Sequence, residues 1–259
     1  MGARREEGMA LVVALMAMLL MTALGLALVM TISSETMIAG NFRNSHEALY
    51  AADAALERGM DDLLTVPDWN RLLDGSERSA FVDGAPSGSR TLADGSTIDL
   101  SQAINMANCG KVTTCSSSDM NAVTNERPWG ANNPRWQLYA HGPMNDMLPA
   151  ATINSPFYVM VLVGDDPSEN DGDPTKDGAS LANPGSGVLA LRAEAFGPRG
   201  THKVIEFTVA RTDTVELERG YVRQRGQDEQ NRRAQKAAVQ RPGKSLTMRS
   251  LTLTTGETR

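Results

Sequence analysis

The hydrophobic positions of this chain are concentrated near its start. Between Met9 and Ser34 no residue is charged, and charged residues bound the run at Glu7 and Glu35. A helix of about 20 apolar residues is long enough to cross the hydrocarbon core of a bilayer. The pattern therefore predicts a membrane-spanning helix over residues 9–34. A secretory signal peptide fits less well, because its apolar core is shorter and ends at a small-residue cleavage site.

Helical periodicity continues beyond this run, with the apolar positions narrowed to one face. Spacings of three and four residues place these positions in a single stripe, which consists of Leu49, Ala52, Leu56, Met60 and Leu63. No proline interrupts residues 35–64, and Pro67 ends the pattern because proline disfavours helix in the residue before it. We expect one helix from Met9 to Leu64, whose amphipathic second half (35–64) covers a folded domain.

The next part of the chain carries little periodicity. Residues 65–134 are rich in glycine, serine, aspartate and asparagine, which predicts an irregular connecting region with short helices at most. The candidates for such helices are Trp69–Leu73 and Ile104–Ala107.

Strand patterns appear in the second half of the chain, over residues 135–140, 157–163, 188–195 and 203–210. Glycine and proline between the last two strands suit a hairpin loop. Four strands in succession without a helix between them predict an antiparallel sheet, and the helix stripe covers one face of it. The expected fold class is therefore α+β, with a long N-terminal helix packed on a small antiparallel β-sheet.

Composition and charge exclude several classes of protein. The chain has 259 residues, and its 25 basic and 31 acidic residues give a net charge of −6, which argues against a nucleic-acid binder. Two cysteines and three histidines are too few for a zinc ribbon or a scaffold with several disulfides. His46, His141 and His202 fall on the polar side of the helix or in predicted loops, where we expect surface residues rather than catalytic bases. Since phosphate-loop and dinucleotide fingerprints are also missing, we expect no enzyme and no required cofactor.

An acidic loop separates the second and third predicted strands. Within it, side chains that offer oxygen ligands alternate as they do early in a calcium-binding loop, at Asp171, Asp173, Thr175 and Asp177. The loop is not an EF-hand, because glycine occupies its second position and no glutamate occupies the twelfth. A calcium-binding loop and a solvated acidic loop are the two interpretations.

The end of the chain is basic. From Arg219 to Arg259 there are ten basic and three acidic residues, a net charge of +7. The composition favours a solvated, flexible tail over residues 218–259. Docking onto an acidic partner or onto DNA phosphates is the alternative, and the lack of aromatic residues after Tyr221 argues against DNA.

The start of the chain resembles a known family. Arg4-Arg-Glu-Glu-Gly8 followed by Met9-Ala-Leu-Val-Val is similar to the leader of a type IV prepilin, which is cut after the glycine. The stretches 37–44 and 47–56 resemble the N-terminal region of PilX-type minor pilins, and residues 189–206 resemble the C-terminal strand pair of such proteins. The resemblance implies that residues 1–8 are a leader, that a prepilin peptidase cuts between Gly8 and Met9, and that the new terminus is methylated.

The same resemblance implies where the protein resides. Arg4 and Arg5 precede the apolar run, and basic flanks remain in the cytoplasm. The chain is then a single-pass protein of the bacterial inner membrane that later joins a pilus at the cell surface, with a pilin-like domain over residues 65–217 outside the cytoplasm. An oxidising compartment favours a disulfide between Cys109 and Cys115, and two unpaired thiols are the alternative.

One departure from the general pilin pattern is informative. Most pilins carry a glutamate five residues after the cut, where this chain has Val13. That carboxylate pairs with the terminal amine of the subunit above, and PilX-type pilins and K-type pseudopilins often lack it. The difference favours a position at or near the filament tip, although it also fits a subunit that merely assembles more weakly. Small residues that permit close helix packing are Ala14, Ala17, Ala23 and Gly25.

The sequence therefore predicts a PilX-type minor pilin that primes type IV pilus assembly and presents a tip adhesin. The implied partners are the major pilin, other minor pilins, a large calcium-binding tip adhesin, the prepilin peptidase and the inner membrane, whereas nucleic acid is disfavoured. A calcium ion in the acidic loop is the cofactor that the resemblance to K-type pseudopilins suggests. The alternatives are a K-like tip subunit of a type II secretion pseudopilus and a single-span membrane protein with a periplasmic sensing domain.

Overall fold

The structure is a computed structural model that describes residues 6–147, 154–168, 172–178, 187–211 and 217–221. The chain divides into two compact units after His46, and the units are described separately. The helices are α1 (Glu6–Leu63), α2 (Asn70–Leu73), α3 (Leu100–Cys109), α4 (Ser117–Met120) and α5 (Met144–Met147). The strands are β1 (Ser89–Thr91), β2 (Thr97–Asp99), β3 (Gln137–Pro143), β4 (Tyr158–Asp165), β5 (Val188–Gly197), β6 (Thr201–Arg211) and β7 (Leu217–Tyr221).

The described part of the first unit consists of the beginning of α1. Its large apolar side chains from Met9 to Ile38 are between 52% and 73% exposed. Three polar side chains on this stretch bond within the helix: the hydroxyls of Thr22, Thr31 and Thr36 donate to backbone carbonyls three or four residues earlier. The helix is long and apolar enough to cross a membrane, as the sequence predicts.

The second unit is built on a five-stranded antiparallel sheet in the order β3-β4-β5-β6-β7. The four predicted strand patterns correspond to β3, β4, β5 and β6, and the α+β layout with a long N-terminal helix is confirmed. The fifth strand, β7, reaches Tyr221 and so includes the first residues of the predicted basic tail. Residues 222–259 of that tail lie outside the described part of the chain.

One face of the sheet packs against the second half of α1. The contact surface of the helix consists mainly of fully buried alanines with one leucine, at Ala48, Ala52, Ala55 and Leu56. The strands contribute the opposing side chains Val159, Val161, Leu189, Leu191 and Phe207. A Cβ atom at Gly59 would lie 3.4 Å from the Cγ1 of Val161, so the helix approaches the sheet closely. The predicted stripe is correct at its centre, but Leu49 remains 40% exposed at its margin.

The opposite face of the sheet is also covered, which the sequence does not predict. A second cluster joins Trp136, Tyr158, Met160 and Leu162 of the sheet region to Leu92 and Leu100 from the β1–β2 hairpin and α3. The prediction of an irregular region over residues 65–134 is therefore wrong in part. Helix α3 starts where the Asp99 carboxylate accepts the amide of Gln102 at 3.0 Å, and it stops at Gly110, whose φ is +72°.

The outer edge of β3 is paired with a segment that lies outside regular strands. The backbone amide of His141 donates to Phe81 at 3.1 Å, and its carbonyl accepts from Asp83 at 2.9 Å. The amide of Ser79 donates to Tyr139 in the same way, at 3.1 Å. Residues 79–83 therefore run along β3 and occupy backbone groups that would otherwise face solvent.

Candidate functional site

The leading candidate for a functional site is the apolar surface of α1, which is formed by the exposed large apolar side chains from Met9 to Ile38. Val13 lies on this surface and is 65% exposed. It occupies the fifth position after the predicted cut, where most pilins carry a glutamate. At 100° per residue, Ala14, Ala17 and Gly25 share one side of the helix, whereas Ala23 lies on the opposite side. A Cβ atom at Gly25 would meet no atom within 4 Å. The helix therefore offers positions for close approach on two sides instead of one.

The predicted processing site lies at the start of α1. Gly8 and Met9 are both in helical conformation, and Met9 is 71% exposed. A Cβ atom at Gly8 would contact nothing within 4 Å, so the helix itself does not require a glycine at this position. Cleavage between Gly8 and Met9 stays a prediction.

Asp173 in the acidic loop is engaged within its own turn. Its carboxylate accepts the backbone amide of Thr175 at 3.1 Å and the Thr175 hydroxyl at 2.5 Å, and it pairs with Lys176 at 3.2 Å. The Thr175 hydroxyl, with help from Lys176, holds the pKa of Asp173 below its usual range. This carboxylate is therefore ionised at neutral pH and used to shape the loop.

Asp177 belongs to a different set of contacts. Its carboxylate accepts the amide of Gly187 at 3.1 Å, and its own amide donates to the side chain of Asn70 at 2.8 Å. Asp171 lies outside the described residues. Within the part of the chain that the structure describes, no three His, Cys, Asp or Glu side chains are grouped to hold a metal ion. A calcium loop therefore stays a prediction.

Cys109 and Cys115 are joined by a disulfide that ties the last residue of α3 to the following loop. The Cα atoms of the two residues are 6.0 Å apart. Next to it, Lys111 pairs with Asp119 at 2.5 Å, and the Asp119 carboxylate also accepts the backbone amide and hydroxyl of Ser116. These bonds, the Lys111 contact above all, lower the pKa of Asp119 to about 2.

The prediction that the three histidines are surface residues is wrong for His141. This residue lies in β3, is 1% exposed, and its Nε2 donates to the carbonyl of Ala85 at 3.1 Å. Its Nδ1 has no hydrogen-bond partner among the described residues. Burial, with the nearby Arg90 guanidinium, lowers the pKa of His141 to about 4. His46 is exposed on α1, and the side chain of His202 is 44% exposed on β6.

A cluster of charged side chains lies on the face of the sheet opposite α1, and the sequence does not predict it. Glu194 is only 3% exposed, and its carboxylate contacts the Nε of Arg192 at 2.6 Å and the Nε2 of His202 at 2.8 Å. Arg192 also contacts the carboxylate of Glu206 across the β5–β6 pair. Burial alone would raise the pKa of Glu194, but His202 and Arg192 outweigh it, so this pKa lies below its usual range. The signal in the sequence is the pair of charged residues inside an otherwise apolar strand.

The family model described as PilX N-terminal matches residues 7–57, a span that includes the whole apolar surface of α1 and the first residues that contact the sheet. No curated protein and no solved structure matches the chain. The match is carried by the same stretch that resembles PilX-type pilins in sequence. Over residues 7–57 the chain is therefore similar to the PilX N-terminal family.

Proposed function

We propose that this chain is a PilX-type minor pilin that takes part in type IV pilus assembly at or near the filament tip. The match of residues 7–57 to the PilX N-terminal family supports it, because that stretch coincides with the exposed apolar surface of α1. A helix with large apolar side chains exposed on all sides is stable only in lipid or among similar helices. A pilin subunit meets both environments in turn.

The surface of α1 supports packing among several neighbours. Positions that allow close backbone approach lie on two sides, with Ala14 and Gly25 on one and Ala23 on the other. Val13 supports a place near the tip, because a subunit with nothing above it has no terminal amine to pair with. A mid-membrane charge at that position would cost about 2.5–3.5 kcal/mol during insertion.

The partners follow from this role. The protein is held in the inner membrane by α1, both before and after a prepilin peptidase removes residues 1–8. The processed subunit then leaves the lipid and joins the major pilin and other minor pilins. In the assembled pilus it helps to prime the filament and to present a large calcium-binding adhesin. The second unit faces the space outside the cytoplasm, and the Cys109–Cys115 disulfide agrees with such an oxidising location.

The proposal is tested by reading the mature N-terminus with mass spectrometry in cells that contain the prepilin peptidase. The expected product begins at Met9 and carries one methyl group. The Gly8→Leu variant should remain at full length, although the structure leaves room for the new side chain. Gly25→Ala is the matched control, since it also fills open space on α1 but should be processed normally. An intact Met1 in the unmodified chain would count against the proposal.

A further inference from the structure

A cleft of about 740 Å³ lies on the sheet face that is turned away from α1. Its floor comes from β5 and β6, where Arg192 pairs in register with Glu206. The loop Asn125–Trp129 forms one wall, and the side chains of Trp129 and Trp136 both line the space. Cavities of this volume are typical of ligand sites.

The wall of the cleft is held in place by side chains instead of regular secondary structure. The guanidinium of Arg127 donates to three backbone carbonyls, those of Ala107 at 3.2 Å, Met120 at 3.2 Å and Pro134 at 3.1 Å. Asn133 accepts the amide of Trp129 at 3.1 Å and donates onward to the loop before it. A loop fixed in this way loses little conformational entropy when it binds a ligand.

The side chains on the floor of the cleft are also held in place, and the positive and negative charges around the cleft are equal in number. Arg192 lies between the carboxylates of Glu194 and Glu206, so its orientation is set by two partners. Among the described side chains that line the cleft, two arginines face two glutamates, at Arg127, Arg192, Glu126 and Glu206. Such a lining does not attract a strongly charged ligand.

We propose that this cleft binds a neutral oligosaccharide. The C–H faces of a sugar ring pack on aromatic surfaces such as that of the half-buried Trp129. Its hydroxyl pairs fit planar amide and carboxylate groups, which Asn125, Glu126 and Glu206 provide around the opening. The aromatic surface for ring stacking and the polar groups for hydrogen bonds are therefore both present in one preorganised site.

A peptide fits the cleft less well. A peptide that binds as an added strand needs a free strand edge, but β5 lies between β4 and β6, and β6 lies between β5 and β7. A proline-rich peptide in an extended helix offers few donors for the polar side chains around the opening. Unsatisfied polar groups in a desolvated site reduce affinity, so a ligand rich in hydroxyls is favoured.

The test is calorimetric titration of the full chain in lauryldimethylamine oxide micelles, a detergent without a sugar headgroup. The probes are maltotriose, cellotriose and N,N′,N″-triacetylchitotriose. At least one of them should bind with a Kd on the order of 1 mM, as suits an open polar site. Trp129→Ala and Glu206→Gln should each weaken that binding about tenfold or more. Tyr50→Ala removes an aromatic side chain that is 68% exposed on α1, outside the cleft, and should bind like the unmodified chain.

Three results would overturn the proposal. One is the absence of saturable heat with all three trisaccharides. Another is unchanged affinity in both cleft variants, provided that thermal unfolding shows them to be folded; Glu206→Gln keeps the side-chain shape for that reason. The third is saturable binding of a polyproline decapeptide that the two variants abolish while no sugar competes. The outcome does not depend on N-terminal processing, so it stands apart from the test of the pilin function.

Discussion

Single buried or half-buried polar side chains organise the second unit, because they form hydrogen bonds with backbone groups that strand pairing does not use. The side chain of Asn108 exchanges two hydrogen bonds with the backbone of Trp136, at 3.0 Å and 2.8 Å, and so imitates one step of strand pairing. Arg127 donates hydrogen bonds to three backbone carbonyls, and His141 donates one to the carbonyl of Ala85. Because an unsatisfied buried carbonyl costs about 1–3 kcal/mol, each of these residues is sensitive to truncation.

His141 also makes the stability of the domain depend on pH. Its pKa lies at about 4 in the folded chain, as burial and the facing Arg90 and Arg78 outweigh Asp83, against an ordinary value of 6.5. The unfolded chain therefore binds more protons between these values, so the contribution of His141 is complete above pH 6.5 and is lost as pH falls toward 4. We expect a loss of about 2 kcal/mol between pH 7 and pH 5 from this residue.

The variant His141→Gln keeps an N–H donor for the carbonyl of Ala85 and does not titrate. Urea unfolding at pH 7 and pH 5 should therefore show a smaller loss of stability in this variant than in the unmodified chain. His46→Gln, at an exposed position on α1, is the control and should retain the original dependence. Equal losses in all three proteins would show that His141 does not set the pH response.

At the scale of elements, the fit between α1 and the sheet depends on small side chains. Ala48, Ala52 and Ala55 are each fully buried, and the helix backbone lies close enough for Gly59 to approach Val161. Burial of alanines yields little hydrophobic energy per residue, but it allows the sheet side chains to contact the helix over a long surface. The interface therefore tolerates little added volume.

Ala52→Leu adds three carbon atoms at the centre of this interface. We expect a loss of about 1–3 kcal/mol in the free energy of unfolding, since closely packed cores respond to overpacking by strain. Ala39→Leu makes the same change at an exposed position of α1 and should alter stability by less than about 0.5 kcal/mol. Denaturant unfolding in the same detergent measures both, and equal values for the two variants would contradict the close-packed interface.

The elements differ in how well the sequence predicts them. Helix α1 and the strands β3 to β6 follow from local patterns. The helix has apolar residues at helical spacing, and the strands are short runs rich in apolar residues, of which β4 is buried along its whole length. The β1–β2 hairpin has three-residue strands that are too short for any alternation, and its signal is the turn pair Asp94–Gly95. The burial of His141 depends on residues more than fifty positions away, which no local pattern reports.

The same limit explains why the sequence predicts only part of the candidate sites. The apolar surface of α1 is continuous along the chain and needs no tertiary contact to be recognised. The cleft instead combines residues from α3, from the loop around Arg127 and from two strands, and their proximity depends on the register of Arg192 against Glu206. Sites of that kind become visible only when the strand pairing is known.

At the scale of the whole molecule, Val13 should decide where the subunit sits in a filament. In purified pili, immunogold labelling of the unmodified protein is expected at one end. Val13→Glu supplies the carboxylate that most pilins use to pair with the subunit above, so labelling should spread along the shaft. Val12→Glu is the control, because it has the same insertion cost of about 2.5–3.5 kcal/mol but points about 100° away.

In that experiment the control should enter the membrane as well as Val13→Glu does, but it should label few filaments because its carboxylate meets no terminal amine. Labelling of the unmodified chain along the whole shaft would contradict the tip position. Identical behaviour of the two glutamate variants would show that the charge itself, and not its pairing geometry, controls incorporation.

The segment 79–83 along β3 also bears on how such a subunit avoids unwanted partners. Open strand edges recruit other polypeptides without regard to identity, a hazard for any protein that waits in a crowded compartment before it polymerises. Here the backbone amide and carbonyl of His141 already form hydrogen bonds with Phe81 and Asp83. Because this edge is closed, we expect copies of the chain to associate through the exposed apolar side chains of α1 instead of through β3.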